Sequence, residues 1–216
     1  MKPENPTQPP PTSPVPQWLA WAREIQALAQ TGLNYNPDNF DTPRYTRLAE
    51  IAAEIISGHS NLPKCDLLAN FLIQRGYATP KIDVRGAVVR EGKILLVQEW
   101  SDNRWCMPGG WADVGKSPSA MVVREVWEES GFHVRPVKLV GVYEANTTAR
   151  QLELYHVYKV VFLCEITGGQ PTPSRETLAV DFFDPASLPS LSSSRTNERH
   201  LADVFAHHAN PALPAV

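Results

Sequence analysis

The chain has 216 residues, of which 43% are hydrophobic and 20% are charged, and its formal net charge is −3. This is the composition of a globular protein with one large domain, or with one domain and a small appendage. The weak negative charge and the lack of a basic tract argue against a nucleic-acid polymer as a partner. No run approaches ~18 consecutive apolar residues and the N-terminus carries no targeting run, so we expect a cytoplasmic protein that does not contact a membrane.

The N-terminal part of the chain predicts a tail followed by a helical domain. Residues 1–16 are dense in proline, which is typical of disordered or polyproline-like segments. Apolar residues then recur at helical spacing in three stretches, 18–31, 42–58 and 63–76. We expect Gly32 to end the first helix and Thr42 to cap the second. Three short helices at 17–78 cannot bury all their apolar surface alone, so this domain should pack on the rest of the chain or on a second subunit.

From residue 81 onwards the hydrophobic period becomes that of strands. We predict strands at 82–89, 94–97, 105–108, 134–143, 152–166 and 178–183, and helices at 118–130 and 197–208. This mixture of many strands and few helices predicts an α+β fold in which a mixed sheet packs between helices. The domain should span residues 80–209, and residues 210–216 should form a tail.

The predicted helix at 118–130 carries an arginine and three glutamates within six residues, Arg124, Glu125, Glu128 and Glu129. Positions i, i+3 and i+4 share one face of a helix, so the three carboxylates should converge. They would repel one another unless a cation lay between them, and Mg²⁺ or Mn²⁺ is the natural candidate because hard cations prefer oxygen ligands. Such a site usually acts on phosphate. The alternative is a solvated helix face on which Arg124 and Glu128 form an ordinary ion pair.

The residues that flank this helix complete a longer pattern, which resembles the Nudix box. The family pattern is glycine, five residues, glutamate, seven residues, Arg-Glu, an aliphatic residue, any residue, Glu-Glu, any residue, glycine and an aliphatic residue. The chain matches it at Gly110, Arg124, Glu125, Val126, Glu128, Glu129, Gly131 and Phe132. Lys116 replaces the first glutamate. The resemblance implies a Nudix α/β/α sandwich and a hydrolase that cleaves nucleoside diphosphates linked to another group, X, into a nucleoside monophosphate and X-phosphate.

A closer resemblance covers residues from about 18 to about 205. The run at 108–115 and the pairs Leu191-Ser192 and Arg195-Thr196 resemble a Nudix subfamily with an extra N-terminal helical domain. That resemblance implies a homodimer formed through the N-terminal helices. It also implies a substrate of the ADP-ribose, CDP-choline or UDP-X type.

The family resemblance assigns a role to each residue of the box. Glu125 and Glu129 would be the primary metal ligands, and Glu128 would bind a second metal or polarise the attacking water. The backbone carbonyl of Gly110 would complete the metal site, and Arg124 would orient the glutamates. A surface ion pair is the alternative for Arg124.

Residues outside the box are candidates for the remaining roles. Glu176 stands before the last strand, where the family often has a general base or an extra metal ligand, although a loop glutamate is usually only solvated. Arg85 could bind phosphate, because arginine suits bidentate phosphate contacts, or it could be a surface charge. Trp105, Trp111 and Tyr143 could stack on a base or a sugar, or they could be core aromatics.

Lys116 leaves three outcomes open. It could be tolerated because the position is not a direct metal ligand, or Asp113 could take over the pairing with Arg124. Otherwise the enzyme would be impaired, leaving a nucleotide-binding sensor with little or no activity. We favour retained hydrolysis because the three helix glutamates are intact, and we expect Lys116→Glu to raise activity or metal affinity modestly.

Overall fold

The computed structural model describes residues 16–35, 40–145 and 155–216. They form two compact units, of which the first contains the described residues up to Thr79 together with Tyr155, and the second contains 80–145 and 156–216. No helix in these described ranges is both long enough and apolar enough to cross a membrane. The predicted proline-rich tail and the predicted start of the strand at 152–166 lie outside the described residues, apart from Pro16.

The first unit is built from three helices, as the sequence predicts. They are α1 (Gln17–Tyr35), α2 (Asp41–His59) and α3 (Lys64–Ile73). Their apolar faces share one core, formed by Leu19, Ala22, Ala52, Ala53, Ile56, Leu67 and Phe71. The small alanines in this core allow the helices to approach one another closely.

Two expectations about the ends of these helices are wrong. Gly32 does not end α1, which continues to Tyr35. A Cβ atom at Gly32 would overlap the ring of Tyr45, so this glycine lets α2 pack directly on the α1 backbone. Thr42 does not cap α2, because the helix begins at Asp41 and the position before it, Phe40, makes no side-chain cap.

The second unit contains six strands and two helices. They are β1 (Lys81–Arg90), β2 (Lys93–Glu99), β3 (Trp105–Cys106), α4 (Pro118–Ser130), β4 (Phe132–Glu144), β5 (Val157–Gly169), β6 (Thr177–Phe183) and α5 (Glu198–Ala209). The strand order is β3-β2-β1-β5-β4, and β6 pairs with β2. Only the pairing of β1 with β5 is parallel among these pairs. The mixed sheet and the α+β class are therefore as predicted.

The two helices of this unit belong to different hydrophobic cores. Met121, Val122 and Val126 of α4 lie in one core with residues such as Val84 and Phe132. Leu201 and Val204 of α5 lie in a second core, which includes Ala87, Leu96 and Val161. Successive residues of a strand point to opposite faces of a sheet. The alternation of Val84, Ala87 and Val88 of β1 between the two cores therefore gives the α/β/α sandwich.

Local signals fix both ends of α4. The hydroxyl of Ser117 caps the helix by accepting a hydrogen bond from the Ala120 N–H (3.2 Å), and Pro118 occupies the first turn. At the other end Gly131 adopts a left-handed φ of 76°, and its N–H donates to the carbonyl of Trp127 (2.9 Å). The helix therefore has the predicted bounds. These bounds fix the direction in which the side chain of each of its glutamates leaves the helix.

The predicted C-terminal tail lies along the outer edge of β4. The Val142 N–H donates to the carbonyl of Val216, and the Val216 N–H donates to the carbonyl of Val140, each at 3.0 Å. The ammonium group of Lys138 donates to the carbonyls of Pro211 and Leu213, each at 2.7 Å. Val216 thus pairs with the edge of β4, and Lys138 holds Pro211 and Leu213 beside the same strand.

Candidate active site

The loop that follows β3 is hydrogen-bonded through its main chain to β1. The Gly86 N–H donates to the carbonyl of Pro108, and the Val84 N–H donates to the carbonyl of Gly110, each at 2.8 Å. Gly109 has a φ of 149°, and a Cβ atom there would overlap the carbonyl oxygen of Val84. Only glycine therefore fits at position 109, as its place in the run at 108–115 predicts.

Two glutamates of α4 face this glycine loop. The Gly109 N–H donates to Oε2 of Glu129 at 2.9 Å. A Cβ atom at Gly110 would lie 2.9 Å from Oε2 of Glu125. Glu125 and Glu129 are 9% and 7% exposed, respectively. Two buried carboxylates therefore meet the main chain of two consecutive glycines.

Glu128 does not join them, so the predicted convergence of three carboxylates is wrong. Its side chain is 47% exposed and lies 3.5 Å from Nε of Arg124. A turn of 3.6 residues places neighbours on a helix about 100° apart, so Glu128 points well away from Glu129 when Glu129 faces the loop. Within the described residues, no three Asp, Glu, His or Cys side chains are arranged to hold a metal ion. The individual ligand roles stay predictions.

Burial disfavours the charged form of both inward carboxylates. It raises the pKa of Glu129 to about 8, although Arg85 and the Gly109 N–H act in the opposite direction. Burial also raises the pKa of Glu125, although Arg124 opposes the shift. Carboxylate and carbonyl oxygens are the donors that a hard divalent cation prefers, and a bound cation would favour the charged form of both buried carboxylates. The residues present therefore fit such an ion.

Arg124 links the box loop to the helix through Asp113. Its Nη1 lies 2.6 Å from Oδ2 of Asp113, and its Nη2 lies 2.9 Å from Oε1 of Glu125. The Lys116 N–H donates to the main-chain carbonyl of Asp113 at 3.3 Å, which closes the turn between them. Of the outcomes that Lys116 left open, the structure shows the one in which Asp113 takes over the pairing.

The first residue of β6 also contacts α4. The Thr177 hydroxyl donates to the main-chain carbonyl of Glu129 at 2.9 Å. The neighbouring residue, Glu176, is exposed, and its carbonyl accepts a hydrogen bond from the Trp100 N–H at 3.1 Å. Glu176 therefore borders the glutamate helix, and its role as a base or extra ligand stays a prediction.

The positions of Arg85 and Tyr143 do not favour substrate binding. Arg85 is 4% exposed, and its guanidinium donates to both carboxylate oxygens of Asp83 (2.9 and 2.7 Å) and to the carbonyl of Met107 (3.1 Å). Tyr143 is buried, and its hydroxyl donates to Asp203 at 3.0 Å. Burial raises the pKa of that hydroxyl above its usual value. Both side chains belong to the interior, because their polar groups are already paired there.

The two tryptophans differ from each other. The ring of Trp105 is half-buried and packs edge-on against Phe183, with ring centroids 4.6 Å apart. Trp111 is 53% exposed and directly follows the glycine loop. Trp111 is therefore the aromatic residue whose position best suits stacking on a base or sugar, although that role stays a prediction.

Sequence reasoning missed the buried charges beneath the loop. Lys159 is 2% exposed, and its ammonium group lies 2.7 Å from Oδ1 of Asp83. Asp83 and Arg85 stand two apart in an otherwise apolar strand, which places both on the same face. That spacing was the available signal, because two opposite charges on the buried face of a strand usually pair.

Comparisons with known proteins cover both units. A family profile described as “NUDIX domain” matches residues 80–205. A second profile, described as “UDP-X-like, N-terminal oligomerisation domain”, matches residues 16–71.

Individual proteins resemble most of the chain. It is 38% identical over 189 residues to “Putative ADP-ribose pyrophosphatase YjhB” of Bacillus subtilis, covering 88% of this chain and 91% of that protein. A crystal structure of a UDP-X diphosphatase covers 90% of this chain and 95% of its own, at 29% identity and a TM-score of 0.58. A crystal structure of an ADP-ribose pyrophosphatase from Streptococcus suis covers 63% of this chain and 98% of its own, at 37% identity and a TM-score of 0.58.

Proposed function

The chain belongs to the Nudix family of pyrophosphohydrolases, and we propose that it hydrolyses nucleoside diphosphates linked to another group. ADP-ribose, UDP-linked compounds and CDP-choline are the substrates to test first, and the products would be a nucleoside monophosphate and X-phosphate. The observation that supports this most is the pair of buried carboxylates, Glu125 and Glu129, against the Gly109–Gly110 main chain.

Nudix hydrolases generally need divalent metal ions, and we propose Mg²⁺ or Mn²⁺ for this chain. Glu125 and Glu129 would hold the ion with the carbonyl of Gly110 as a further donor, whereas the exposed Glu128 would bind a second ion or polarise the attacking water. That carbonyl already accepts one hydrogen bond from Val84 but has a second lone pair. When bound, such an ion neutralises phosphate charge and lowers the pKa of bound water.

The chain's own residues would hold the reacting groups in place. Water would form the new P–O bond, and the bridging oxygen would leave with the second phosphate. The proton that water loses needs an acceptor, and the exposed carboxylates of Glu128 and Glu176 are the candidates for that role. Arg124 would fix the direction of the Glu125 carboxylate through their 2.9 Å contact.

The alternative function is a sensor that binds a nucleotide but hydrolyses it slowly or not at all. Lys116 was the reason to consider it. The 2.6 Å pair between Asp113 and Arg124 weakens that reason, because Arg124 has a carboxylate partner in the loop without a glutamate at position 116. We therefore expect Lys116→Glu in the otherwise unchanged protein to alter activity by less than about twofold, a smaller gain than the sequence alone predicts.

The test is a substrate panel with matched variants. The protein is incubated with Mg²⁺ or Mn²⁺ and with ADP-ribose, CDP-choline, UDP-sugars and NADH, and the nucleoside monophosphate is quantified. Glu129→Gln should abolish turnover, whereas Glu165→Gln, which alters an exposed pair with Arg135, should leave it unchanged. Absence of turnover for every compound would defeat the proposal, and tight binding without turnover would favour the sensor.

We also propose that the protein is a homodimer formed through its N-terminal helices. The profile that matches residues 16–71 describes an oligomerisation domain. The first unit exposes large apolar side chains, including Leu28 (58%) and Ile73 (77%). Light scattering should give twice the mass of one chain, and Ile73→Glu should lower it if that face is the interface. A monomeric mass for the unaltered protein at micromolar concentration would refute the proposal.

A further inference from the structure

The segment 190–196 contacts β3 through an isolated parallel bridge between Leu191 and Trp105, which a turn at 193–195 follows. The Trp105 N–H donates to the carbonyl of Ser190 (3.0 Å), and the Ser192 N–H donates to the carbonyl of Trp105 (2.8 Å). This segment carries the Leu191-Ser192 and Arg195-Thr196 pairs of the subfamily resemblance. The proposed chemistry gives these pairs no role, and their contacts indicate one.

Thr196 bonds to the main chain of Met107, the residue directly before the glycine loop. It is fully buried, and its Oγ1 accepts a hydrogen bond from the Met107 N–H at 2.9 Å. The carbonyl of Met107 accepts from Nη1 of Arg85 at 3.1 Å. Two side chains from distant parts of the sequence therefore fix both polar groups of the Met107 main chain. The loop that meets Glu125 and Glu129 starts at the next residue.

Arg195 holds the loop between β2 and β3. Its Nη2 donates to the hydroxyl of Ser101 at 3.1 Å, and its Nη1 lies 3.5 Å from Oδ2 of Asp102. Its Nε lies 3.4 Å from Oε1 of Glu99, at the end of β2. The same loop contains Trp100, whose N–H donates to the carbonyl of Glu176. Arg195 is thus connected, through one loop, to the main chain of the candidate base.

We propose that Arg195 and Thr196 are positioning residues for the hydrolytic site. Thr196 sets the place of the glycine loop under the two metal-facing glutamates, and Arg195 sets the place of the loop that carries Glu176. The inference rests on the proposed function, and it adds two residues that touch neither substrate nor metal. Arg195 and Thr196 are neighbours in one segment, which therefore contacts the loops on both sides of the site.

The test compares Thr196→Val, which removes the hydroxyl at nearly constant shape, with Thr196→Ser, which keeps it. Thr46→Val is the matched control, because among the described residues its hydroxyl bonds to the Thr42 carbonyl within α2 and to no group of the site. We expect Thr196→Val to lower kcat about tenfold and to speed hydrogen exchange in a peptide covering residues 105–111. Thr196→Ser and Thr46→Val should keep kcat and that exchange rate within about twofold of the unaltered protein.

The second arm tests whether Arg195 acts through the Glu176 loop. Arg195→Gln should lower kcat, and the loss should largely disappear when Glu176→Gln is already present, because residues that act as a unit are non-additive. Fully additive losses would overturn this part. Unchanged exchange at 105–111 in Thr196→Val, or faster exchange with unchanged kcat, would overturn the role of Thr196.

Failure of the proposed function gives a different result. If the unaltered protein hydrolyses none of the compounds, the proposed function fails on that observation alone. The exchange comparison and the Mn²⁺ affinity of Thr196→Val, measured by calorimetry, then decide whether Thr196 positions the glycine loop. A weaker Mn²⁺ affinity with faster exchange supports the inference, and unchanged values of both overturn it.

Discussion

His200 should make the second unit sensitive to mild acid. The side chain is 3% exposed and lies in the first turn of α5, where its Nδ1 accepts a hydrogen bond from the Asn197 N–H at 3.3 Å. Its ring meets the ring of Tyr143 with centroids 4.7 Å apart. Burial, helped by the positive charges of Lys159 and Arg85, lowers the pKa of His200 to about 3.

The direction and size of the effect follow from the difference in proton binding. The unfolded chain binds a proton at this residue near pH 6.5, whereas the folded chain does so only near pH 3. The stabilising contribution is therefore present above pH 6.5 and is lost as the pH falls towards 3. At 1.36 kcal/mol per pKa unit, the loss between pH 7 and pH 5 is about 2 kcal/mol.

Urea unfolding at pH 7 and pH 5, followed by tryptophan fluorescence, measures this loss. His200→Gln removes the titrating group, and glutamine at this position can still accept the hydrogen bond from the Asn197 N–H. The unaltered protein should lose about 2 kcal/mol more than His200→Gln on acidification. His208→Gln, at an exposed position of α5, should behave like the unaltered protein. Equal losses in the unaltered protein and His200→Gln would refute the reasoning.

Three further predictions concern the candidate site. Asp113→Asn should lower kcat/KM about tenfold while changing the free energy of unfolding by less than about 1 kcal/mol, since its partner is half-exposed. Adding Lys116→Glu to this variant should restore most of that activity. No recovery would contradict the idea that Asp113 serves Arg124 in place of a glutamate at position 116. Gly109→Ala should lower the free energy of unfolding by about 3 kcal/mol, because the added Cβ atom would overlap the β1 backbone. Gly115→Ala, at a φ of 82° in open space, should lower it by ~1 kcal/mol. Similar losses for the two variants would contradict the close approach of Gly109 to β1. Glu129→Gln should weaken Mn²⁺ binding at least about tenfold by calorimetry, and unchanged affinity would remove Glu129 from the site.

Local signals made the site helix predictable. Ser117, Pro118 and Gly131 each act within one turn of the helix end that they define, so the bounds of α4 needed no knowledge of the rest of the fold. The glycine at position 109 was recognisable for a related reason. Gly109 lies in the run at 108–115, which carries the resemblance and can be read from the sequence. The structure requires glycine there because the main chain at that position closely approaches β1.

Tertiary contacts account for the expectations that failed. Gly32 looked like a helix end because glycine often is one, but here it makes room for Tyr45. Arg85 looked like a phosphate ligand because its spacing from Asp83 was not used, and because the sequence does not reveal that Lys159 also pairs with Asp83 in the interior. Helical spacing placed three glutamates on one face but could not say which part of that face meets the glycine loop.

The partner of Arg124 shows most clearly what could not be predicted from the sequence. Sequence alone could identify Lys116 as a departure and Asp113 as a possible replacement partner for Arg124. Whether Asp113 pairs with Arg124 depended on how the turn at 113–116 folds back on the helix, which is a three-dimensional property. The 2.6 Å contact decides it.

The C-terminal residues over β4 have a consequence for self-association. An edge strand with free N–H and C=O groups invites pairing with another chain, and such pairing can continue without limit. The two hydrogen bonds between Val216 and β4 occupy that edge at Val140 and Val142, near the C-terminal end of the strand. Further pairing through this edge of the sheet is therefore partly blocked, whatever assembly the proposed contact between the N-terminal helices forms. Replacing residues 210–216 with a flexible polar sequence, or joining an affinity tag directly to Val216, would put that protection at risk.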